Sequence, residues 1–351
     1  MNPDLHKDLI VIDGLQYSNW NREIFEELRV GGVSAVHVTI VYHEQIRETL
    51  MRIAEWNRLF ETHGDLIIPV KSTDDIRLAK ATGRVGILFG AQNCSPIEDD
   101  IGMIEVMREL NLMIMQLTYN NQSLLACGCY EAEDSGVTRF GRQVIKEMNR
   151  VGMVIDMSHS AERSTLEAIE LSERPIVISH ANPLSFHAAK RNKSDSVLKA
   201  LGESGGLLGF SLYPFHLKNG SDCSLNDFCD MVASTADLMG INNIGIGTDL
   251  CQSQPQSVLE WMRNGRWSKV TDYGEGSKSN ADWPNPLSWF RDSRDFPNIT
   301  RGLQSRGFSD EEIAKIMGNN WLRFLDEALV PQYDYRSVDR SNESFIGLKA
   351  S

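Results

Sequence analysis

The sequence is short of positive charge. Lys and Arg total 35 against 48 Asp and Glu, so the net charge is −13 over 351 residues. Nucleic-acid-binding proteins need clustered Lys and Arg, and anionic membranes attract basic segments. The composition therefore predicts neither a nucleic-acid partner nor a membrane partner. It favours a small-molecule substrate.

Long apolar runs are absent as well. No run approaches the roughly 18 apolar residues that a membrane-spanning helix needs. The first residues, MNPDLHKDLIVIDG, place acidic side chains before a short apolar run, which is not the pattern of a signal peptide. We expect a cytoplasmic protein.

Paired cysteine motifs are also missing. The six cysteines lack the spacing of a zinc ribbon, and Cys127-Gly128-Cys129 is the one pair that is close in sequence. A lone C-x-C between polar turns is a weak signal for a metal or redox site. A chain of this length does not need disulfides, so reduced and mostly buried thiols are predicted.

What the sequence does contain is a regular alternation of short β-type runs with helical patterns. Eight alternating units predict an α/β fold of the (β/α)8 TIM-barrel type, with a doubly wound open sheet as the alternative. No repeat or linker interrupts residues 1–330, which we expect to form a single domain. Helix starts are indicated after Ser72 and Ser309. The eight runs begin near Leu9, Val33, Val85, Met113, Met153, Ile176, Leu207 and Ile244.

An irregular segment follows the last run, at about 251–297. Its tryptophans are Trp261, Trp267, Trp283 and Trp289. They indicate packing over the mouth of the barrel or at a subunit contact, and a surface excursion anchored by the tryptophans is equally compatible. Residues 331–351 are predicted to be a polar tail.

Two histidines end neighbouring predicted strands. His159 follows the run MVIDMS and His180 follows PIVIS, with one helical run between them. The C-terminal ends of parallel strands lie on one face, where α/β barrels place their active sites. Because imidazole is the commonest metal ligand, the pair predicts a metal site, with zinc as the first choice.

Other polar residues close strands on the same face. They include Gln92, Asn93, Tyr119 and Asp249. A carboxylate at such a position needs a cation or a hydrogen-bond donor. Asp249 is therefore a candidate site residue, and the alternative is that it caps a following helix.

The run VIDMSHSAERSTLEAIELSERPIVISHANP, with RNKSDSVLKAL and IGIGTDL after it, resembles the membrane dipeptidase (renal dipeptidase) family. The resemblance extends from Ile10 to about Leu325. It implies an amidohydrolase-like (β/α)8 metallo-barrel and a dimer, with two zinc ions, a bridging glutamate and a water that attacks a dipeptide amide. By position, His159 and His180 match two histidines on one zinc, and Asp249 matches an aspartate on the other.

Arg191 matches the family's arginine that holds the substrate carboxylate, since a guanidinium can grip a carboxylate with two parallel hydrogen bonds. From the residues alone, a solvated loop cation is an equal alternative.

Three positions depart from the family pattern. Leu15-Gln16-Tyr17 stands in place of a His-x-Asp pair, Gln92 in place of the bridging glutamate, and Tyr119 in place of a histidine that contacts substrate. A neutral carboxamide cannot bridge two cations as a carboxylate does. The sequence therefore predicts one zinc rather than two, held by His159 and His180. Cys94 and His187 are further donors nearby in sequence.

The resulting hypothesis is a metal-dependent hydrolase that cleaves an amide bond in a dipeptide or other small carboxylate-bearing amino-acid derivative. Asp249 is the predicted general base and Tyr119 the oxyanion donor. Arg191, Gln92 and Asn93 are predicted to bind substrate, and a homodimer is expected. Two alternatives stay open: a lyase or isomerase acting on such a derivative, and an inactive barrel that binds a ligand.

Overall fold

Eight parallel strands close into a barrel in the computed structural model of the chain, which describes residues 4–266 and 268–332. The chain has nine strands in its described residues: β1 (Ile12–Gln16), β2 (Ala35–Val41), β3 (Ile67–Pro69), β4 (Val85–Ala91), β5 (Leu112–Gln116), β6 (Val154–Asp156), β7 (Val177–Ala181), β8 (Leu207–Phe210) and β9 (Ile244–Ile246). β1 pairs with β2 and β9, β2 pairs with β4, and β4 to β9 pair in chain order, so all strands except β3 form a closed ring. The barrel prediction is confirmed and the open sheet is excluded.

β3 is an additional strand, which the alternation of β-type and helical runs in the sequence did not predict. It pairs with the first residues of β4, where Ile67 lies opposite Val85, whereas β5 pairs with β4 only from Phe89 onward. β3 therefore covers the stretch of β4 that β5 leaves unpaired.

Helices separate the strands and cover the outside of the barrel. Most of them bury an apolar face against the sheet, as in other (β/α)8 barrels. The helices are α1 (Leu5–Asp8), α2 (Arg22–Val30), α3 (Ile46–Thr62), α4 (Thr73–Thr82), α5 (Gly102–Glu109), α6 (Arg139–Val151), α7 (Glu162–Leu171), α8 (Asp195–Glu203), α9 (Leu225–Met239), α10 (Gln256–Asn264), α11 (Phe296–Arg306), α12 (Asp310–Ala314) and α13 (Asn320–Ala328). Within the described residues, no helix is both long enough and apolar enough to cross a membrane.

The predicted helix starts are confirmed. Ser72 precedes α4 and Ser309 precedes α12, and each forms a reciprocal capping box with the acid three residues later.

Helix α13 closes the N-terminal end of the barrel. Trp321 is buried, its Nε1 donates to the carbonyl of Ile246 at 2.9 Å, and its ring lies against Gly14 and Gly245. The ring belongs to an apolar cluster with residues at the starts of the strands, among them Ile12, Ala35, Val154, Val177 and Leu207. The opposite end of the barrel is left for a site.

The segment at 251–297 packs over that opposite end. It contains α10, and the indole N–H of Trp261 donates to Glu44 Oε1 at 2.9 Å. The indole N–H of Trp289 donates to the Cys223 carbonyl at 2.8 Å. Trp267 lies outside the described residues, as do residues 333–351 of the predicted tail.

Two glycines create space at the centre of the barrel. A Cβ added at Gly209 or Gly247 would overlap the carbonyl oxygen of Ser179 in β7. The residue after Ser179 is His180, so these glycines also set the position of one predicted site residue.

We expect Gly247→Ala to lower the free energy of unfolding by about 1–3 kcal/mol or more, the scale of overpacking in a core. Chemical denaturation measures this. Gly102→Ala is the matched control, because its added Cβ meets only the Asp100 side chain, at 3.2 Å, in the first turn of α5. Equal stability of the two variants would contradict the close packing around Ser179.

Candidate active site

A cavity opens at the C-terminal ends of the strands. Five of the predicted residues line it: Gln92, Tyr119, His159, Arg191 and Asp249. Other residues complete the wall, including Tyr17, Asn120, Tyr130, Tyr213, His216 and Glu275. His180 lies directly beneath, fully buried, in contact with His159.

A buried carboxylate holds the two histidine-bearing segments together. Asp156, the last residue of β6, accepts hydrogen bonds from the hydroxyls of Ser158 and Ser179 at 2.6 and 2.5 Å. It also accepts from both of their backbone N–H groups, at 3.0 and 3.1 Å. The residues next to His159 and His180 are therefore fixed by one acceptor.

This network sets the tautomer of His180. The Ser179 hydroxyl donates its hydrogen bond to Asp156, so the Ser179 oxygen accepts a hydrogen bond from His180 Nδ1, 2.7 Å away. The proton of a neutral His180 is thus on Nδ1, and Nε2 has a free lone pair.

His159 is oriented in the same way. Its Nδ1 lies 2.6 Å from the amide oxygen of Asn120, which accepts the Nδ1 proton. The ring stacks on Tyr119 with 4.0 Å between ring centroids. The Nε2 lone pair of His159 is therefore also free.

Three acceptor atoms converge as a result. His159 Nε2 lies 3.1 Å from His180 Nε2 and 2.8 Å from Gln92 Oε1. Gln92 presents its oxygen because its amide nitrogen donates to Thr39 Oγ1 at 2.8 Å. Facing acceptors repel one another unless a cation lies between them.

A metal ion suits this position better than a proton. Burial, reinforced by the Arg191 charge, holds the pKa of both His159 and His180 well below the usual range. Two imidazole nitrogens and an amide oxygen are donors that zinc and similar divalent ions accept. The residues therefore fit one ion.

They do not fit two ions. Leu15 provides no donor and Gln92 no negative charge. Nowhere in residues 4–266 and 268–332 do three or more His, Cys, Asp or Glu side chains form a metal-binding group. Cys94 and His187 are not in the cavity wall, and burial raises the pKa of the Cys94 thiol to about 11, which disfavours the thiolate that binds metals.

Asp249 occupies the cavity wall and not a helix terminus. The next helix, α10, begins at Gln256 after Pro255, so the capping alternative does not apply. Asp249 has a positive φ of 59°, and its N–H donates to the Leu15 carbonyl at 3.0 Å. Burial raises its pKa to about 7, although the Arg191 charge opposes that rise.

Arg191 is buried, which excludes a solvated loop cation. Its guanidinium donates to the carbonyls of Ser158 and, at 3.4 Å, His180. It forms no ion pair with any side chain of the described residues. A buried guanidinium that lines a cavity and forms no direct side-chain ion pair can receive an anion.

Asn93 lies apart from this group. Its side-chain oxygen accepts from the Cys94 N–H at 2.9 Å, and its amide nitrogen lies 3.3 Å from His43 Nδ1. It is not among the residues that line the cavity.

The sequence reasoning missed His216 and Glu275. His216 Nδ1 lies 3.9 Å from Asp249 Oδ2 and 3.0 Å from Ser211 Oγ. Glu275 Oε1 accepts from the backbone N–H of Lys190 at 2.5 Å and from Tyr130 OH at 3.2 Å, which attaches the irregular segment to the Arg191 loop. The only signal for His216 was its place a few residues after β8; Glu275 left none.

The Cys127-Gly128-Cys129 segment has a structural role beside the site. All six cysteines are free, as predicted, and the Cys129 N–H donates to the His159 carbonyl at 2.9 Å. A Cβ on Gly128 would overlap the backbone of Asn120, the residue that orients His159.

A family model described as membrane dipeptidase matches residues 16–271. The chain belongs to the membrane dipeptidase family. Among the curated proteins that this chain resembles, dipeptidase tcpJ of Claviceps purpurea is 24% identical over 290 residues, which cover 82% of this chain and 61% of that relative. Dipeptidase aclJ of Aspergillus oryzae is 24% identical over 293 residues, covering 82% and 62%. The chain spans about three fifths of the length of these two relatives.

Solved structures share the barrel fold of this membrane dipeptidase family member. An amidohydrolase from Pseudomonas aeruginosa is 39% identical with a TM-score of 0.88, covering 94% of this chain and 99% of that one. A metallo peptidase from Rhodobacter sphaeroides, liganded with a phosphinate mimic of the dipeptide L-Ala-D-Ala, is 15% identical with a TM-score of 0.76, covering 92% and 100%. The second likeness shows the fold alone.

Because the pKa of Asp249 is raised, we expect the free energy of unfolding to depend on pH. The carboxyl titrates near pH 4 in the unfolded chain and at about 7 in the folded one, so the unfolded state loses its proton first and stability falls between those values as pH rises. Asp249→Asn should therefore be more stable than the parent at pH 8 by on the order of 2–4 kcal/mol, and the difference should shrink toward pH 4.

Chemical denaturation at pH 4, 6 and 8, after treatment with a chelator, measures this difference. Asp237→Asn, an exposed aspartate in α9, is the matched control and should follow the parent at every pH. A pH-independent effect of Asp249→Asn would mean that the carboxyl is not destabilised by burial.

Proposed function

We propose that this protein is a metal-dependent hydrolase that cleaves an amide bond in a dipeptide or other small amino-acid derivative with a free carboxylate. One observation carries the proposal: three acceptor atoms converge, on His159, His180 and Gln92, in a cavity that also contains Asp249 and the unpaired Arg191. Membership of the membrane dipeptidase family supports the reaction class.

Arg191 binds the substrate carboxylate in this proposal. The guanidinium is already held by two backbone carbonyls, so little side-chain freedom is lost when an anion binds. The carboxylate in turn neutralises a charge that the folded protein leaves without an ion pair. Recognition at this point selects free acids over esters and amides.

His159, His180 and Gln92 would hold one divalent ion, for which zinc is our first choice. Such an ion supplies Lewis acidity toward the scissile carbonyl. Asn120 and Ser179 fix the two imidazole rings by accepting their Nδ1 protons, so the donor atoms are in place before the ion arrives.

Asp249 is the proposed general base. A carboxylate with a pKa of about 7 takes a proton from the attacking water near neutral pH and returns it to the leaving amine. Tyr119, which stacks on His159 in the cavity wall, donates to the oxyanion that develops on the carbonyl. The homodimer and the cytoplasmic location stay predictions of the sequence.

The first test of this function is metal content. We expect the purified protein to hold at most about one tightly bound divalent ion per chain, because His159, His180 and Gln92 offer donors for one ion and the described residues contain no group of three or more His, Cys, Asp or Glu side chains that could hold a metal. Elemental analysis by mass spectrometry measures it. His159→Ala combined with His180→Ala should remove the ion, whereas replacing the partly buried His63, which is outside the cavity, should not. Two ions per chain at full occupancy would refute the single site.

The second test concerns the carboxylate. We expect Arg191→Lys to weaken binding of a free-acid substrate by about 1.5–3 kcal/mol, the range for a hydrogen bond to a charged group. The parent enzyme should bind methyl esters poorly, and the variant should discriminate less between acid and ester. Inhibition constants of matched acids and esters give both values. Equal affinity of the parent for acid and ester would remove the carboxylate requirement.

A further inference from the structure

A second cavity lies on the other side of Asp249. Its volume is about 230 Å³, and Tyr213 and Asp249 line both this cavity and the active-site cavity. We call the second cavity the rear chamber. Its walls are formed mainly by Leu212, Leu250, Trp283, Pro286, Leu287 and Phe290. The two cavities therefore meet at Tyr213 and Asp249, with more polar residues on one side and mainly apolar residues on the other.

The walls of the rear chamber suit an uncharged, apolar group. Leucine, proline and aromatic side chains predominate, and Asp249 is the single carboxylate among them. The one cation, Arg291, is on an exposed part of the wall. An ammonium group placed here would lose its hydration without an acceptor network to replace it.

The chamber wall also contains polar donors, among them Tyr213, Thr248 and Gln254. The indole Nε1 of Trp283 is buried and has no hydrogen-bond acceptor within the described part of the chain. Trp283 therefore brings to this region both an apolar ring and an N–H group that lacks an acceptor. A carbonyl oxygen next to an apolar chain would be a suitable acceptor for such a donor.

We propose that the rear chamber binds the acyl group of an N-acyl amino acid, and that this class, not a dipeptide with a free amine, is the substrate. The inference rests on the proposed function: the substrate carboxylate lies on Arg191 and the acyl chain in the rear chamber, which places the amide beside Asp249, one of the two residues that line both cavities. Water adds to the acyl carbon, the C–N bond breaks, and the amine takes the proton, giving a carboxylic acid and a free amino acid.

The volume allows a chain of several carbons. An apolar cavity of about 150 Å³ is enough to bind benzene, and the rear chamber is larger. Each methylene that moves from water into such a cavity strengthens binding about fourfold. Substrate preference should therefore follow the length of the acyl chain until the chamber is full.

The first experiment compares N-acetyl, N-butanoyl and N-hexanoyl derivatives of one amino acid. We expect kcat/KM to rise about fourfold for each added methylene, and to be lower for a dipeptide than for the acyl compound of the same length. If the acetyl compound is hydrolysed and longer chains give no increase, the rear chamber is not an acyl site although the proposed function stands.

A substitution that fills the chamber provides the second arm. Leu250→Trp should remove the preference for the hexanoyl over the acetyl compound. Leu78→Trp is the matched control, because Leu78 is 48% exposed on α4, and this variant should keep the preference. A Leu250→Trp enzyme that still prefers the hexanoyl compound would overturn the assignment.

The third arm uses the unmodified protein and needs no hydrolysis. Titration calorimetry with hexanamide and butanamide, neutral molecules that carry the apolar chain and one carbonyl, should show hexanamide binding about 16-fold more tightly, fourfold for each of its two additional methylenes. That result supports the chamber even if no amide is cleaved, in which case the proposed function alone fails. Equal or undetectable binding of both amides would refute the acyl site.

Discussion

The arrangement of this site depends on the buried carboxylate of Asp156. Asp156 accepts the hydrogen bond of the Ser179 hydroxyl, so the Ser179 oxygen must accept a hydrogen bond from His180 Nδ1. The lone pair of His180 Nε2 must then face His159. A residue without an acceptor at position 156 would leave the hydroxyl free to reverse its hydrogen bond. His180 Nε2 would then carry a proton where it now has a free lone pair. Asp156 does not line the cavity, but its hydrogen bonds determine which atoms of the histidines can bind a ligand there.

The hydrogen bonds beneath the cavity also determine the charge of the three candidate metal-binding side chains. Two neutral imidazoles and a carboxamide leave a divalent ion with its full charge, next to the guanidinium of Arg191. The carboxyl groups that line the cavity and are able to balance that charge are those of Asp249, Asp272 and Glu275. An ion bound here is more electrophilic than one shared with a bridging carboxylate, and it is also more easily lost.

Much of this architecture could be read from the sequence. The period of the apolar runs located the eight barrel strands, and the strand ends brought His159, His180 and Asp249 to one face because parallel strands share an orientation. Contacts that depend on loop conformation could not be read in this way. His216 reaches Asp249 through a short irregular turn, and Trp283 reaches the rear chamber from a segment with no periodicity. Which hydroxyl gives its proton to Asp156 is likewise a matter of three-dimensional geometry.

The closing helix has a consequence for how the chain folds during synthesis. Trp321 seals the strand starts and contacts Gly14, a residue of the first strand, so more than 300 residues separate the two partners in the chain. The ribosome releases all nine strands before it releases their apolar seal. A nascent barrel exposes the ends of its core until α13 emerges, which is the stage at which such intermediates aggregate. Chaperone dependence in this protein should therefore concentrate in the final moments of translation.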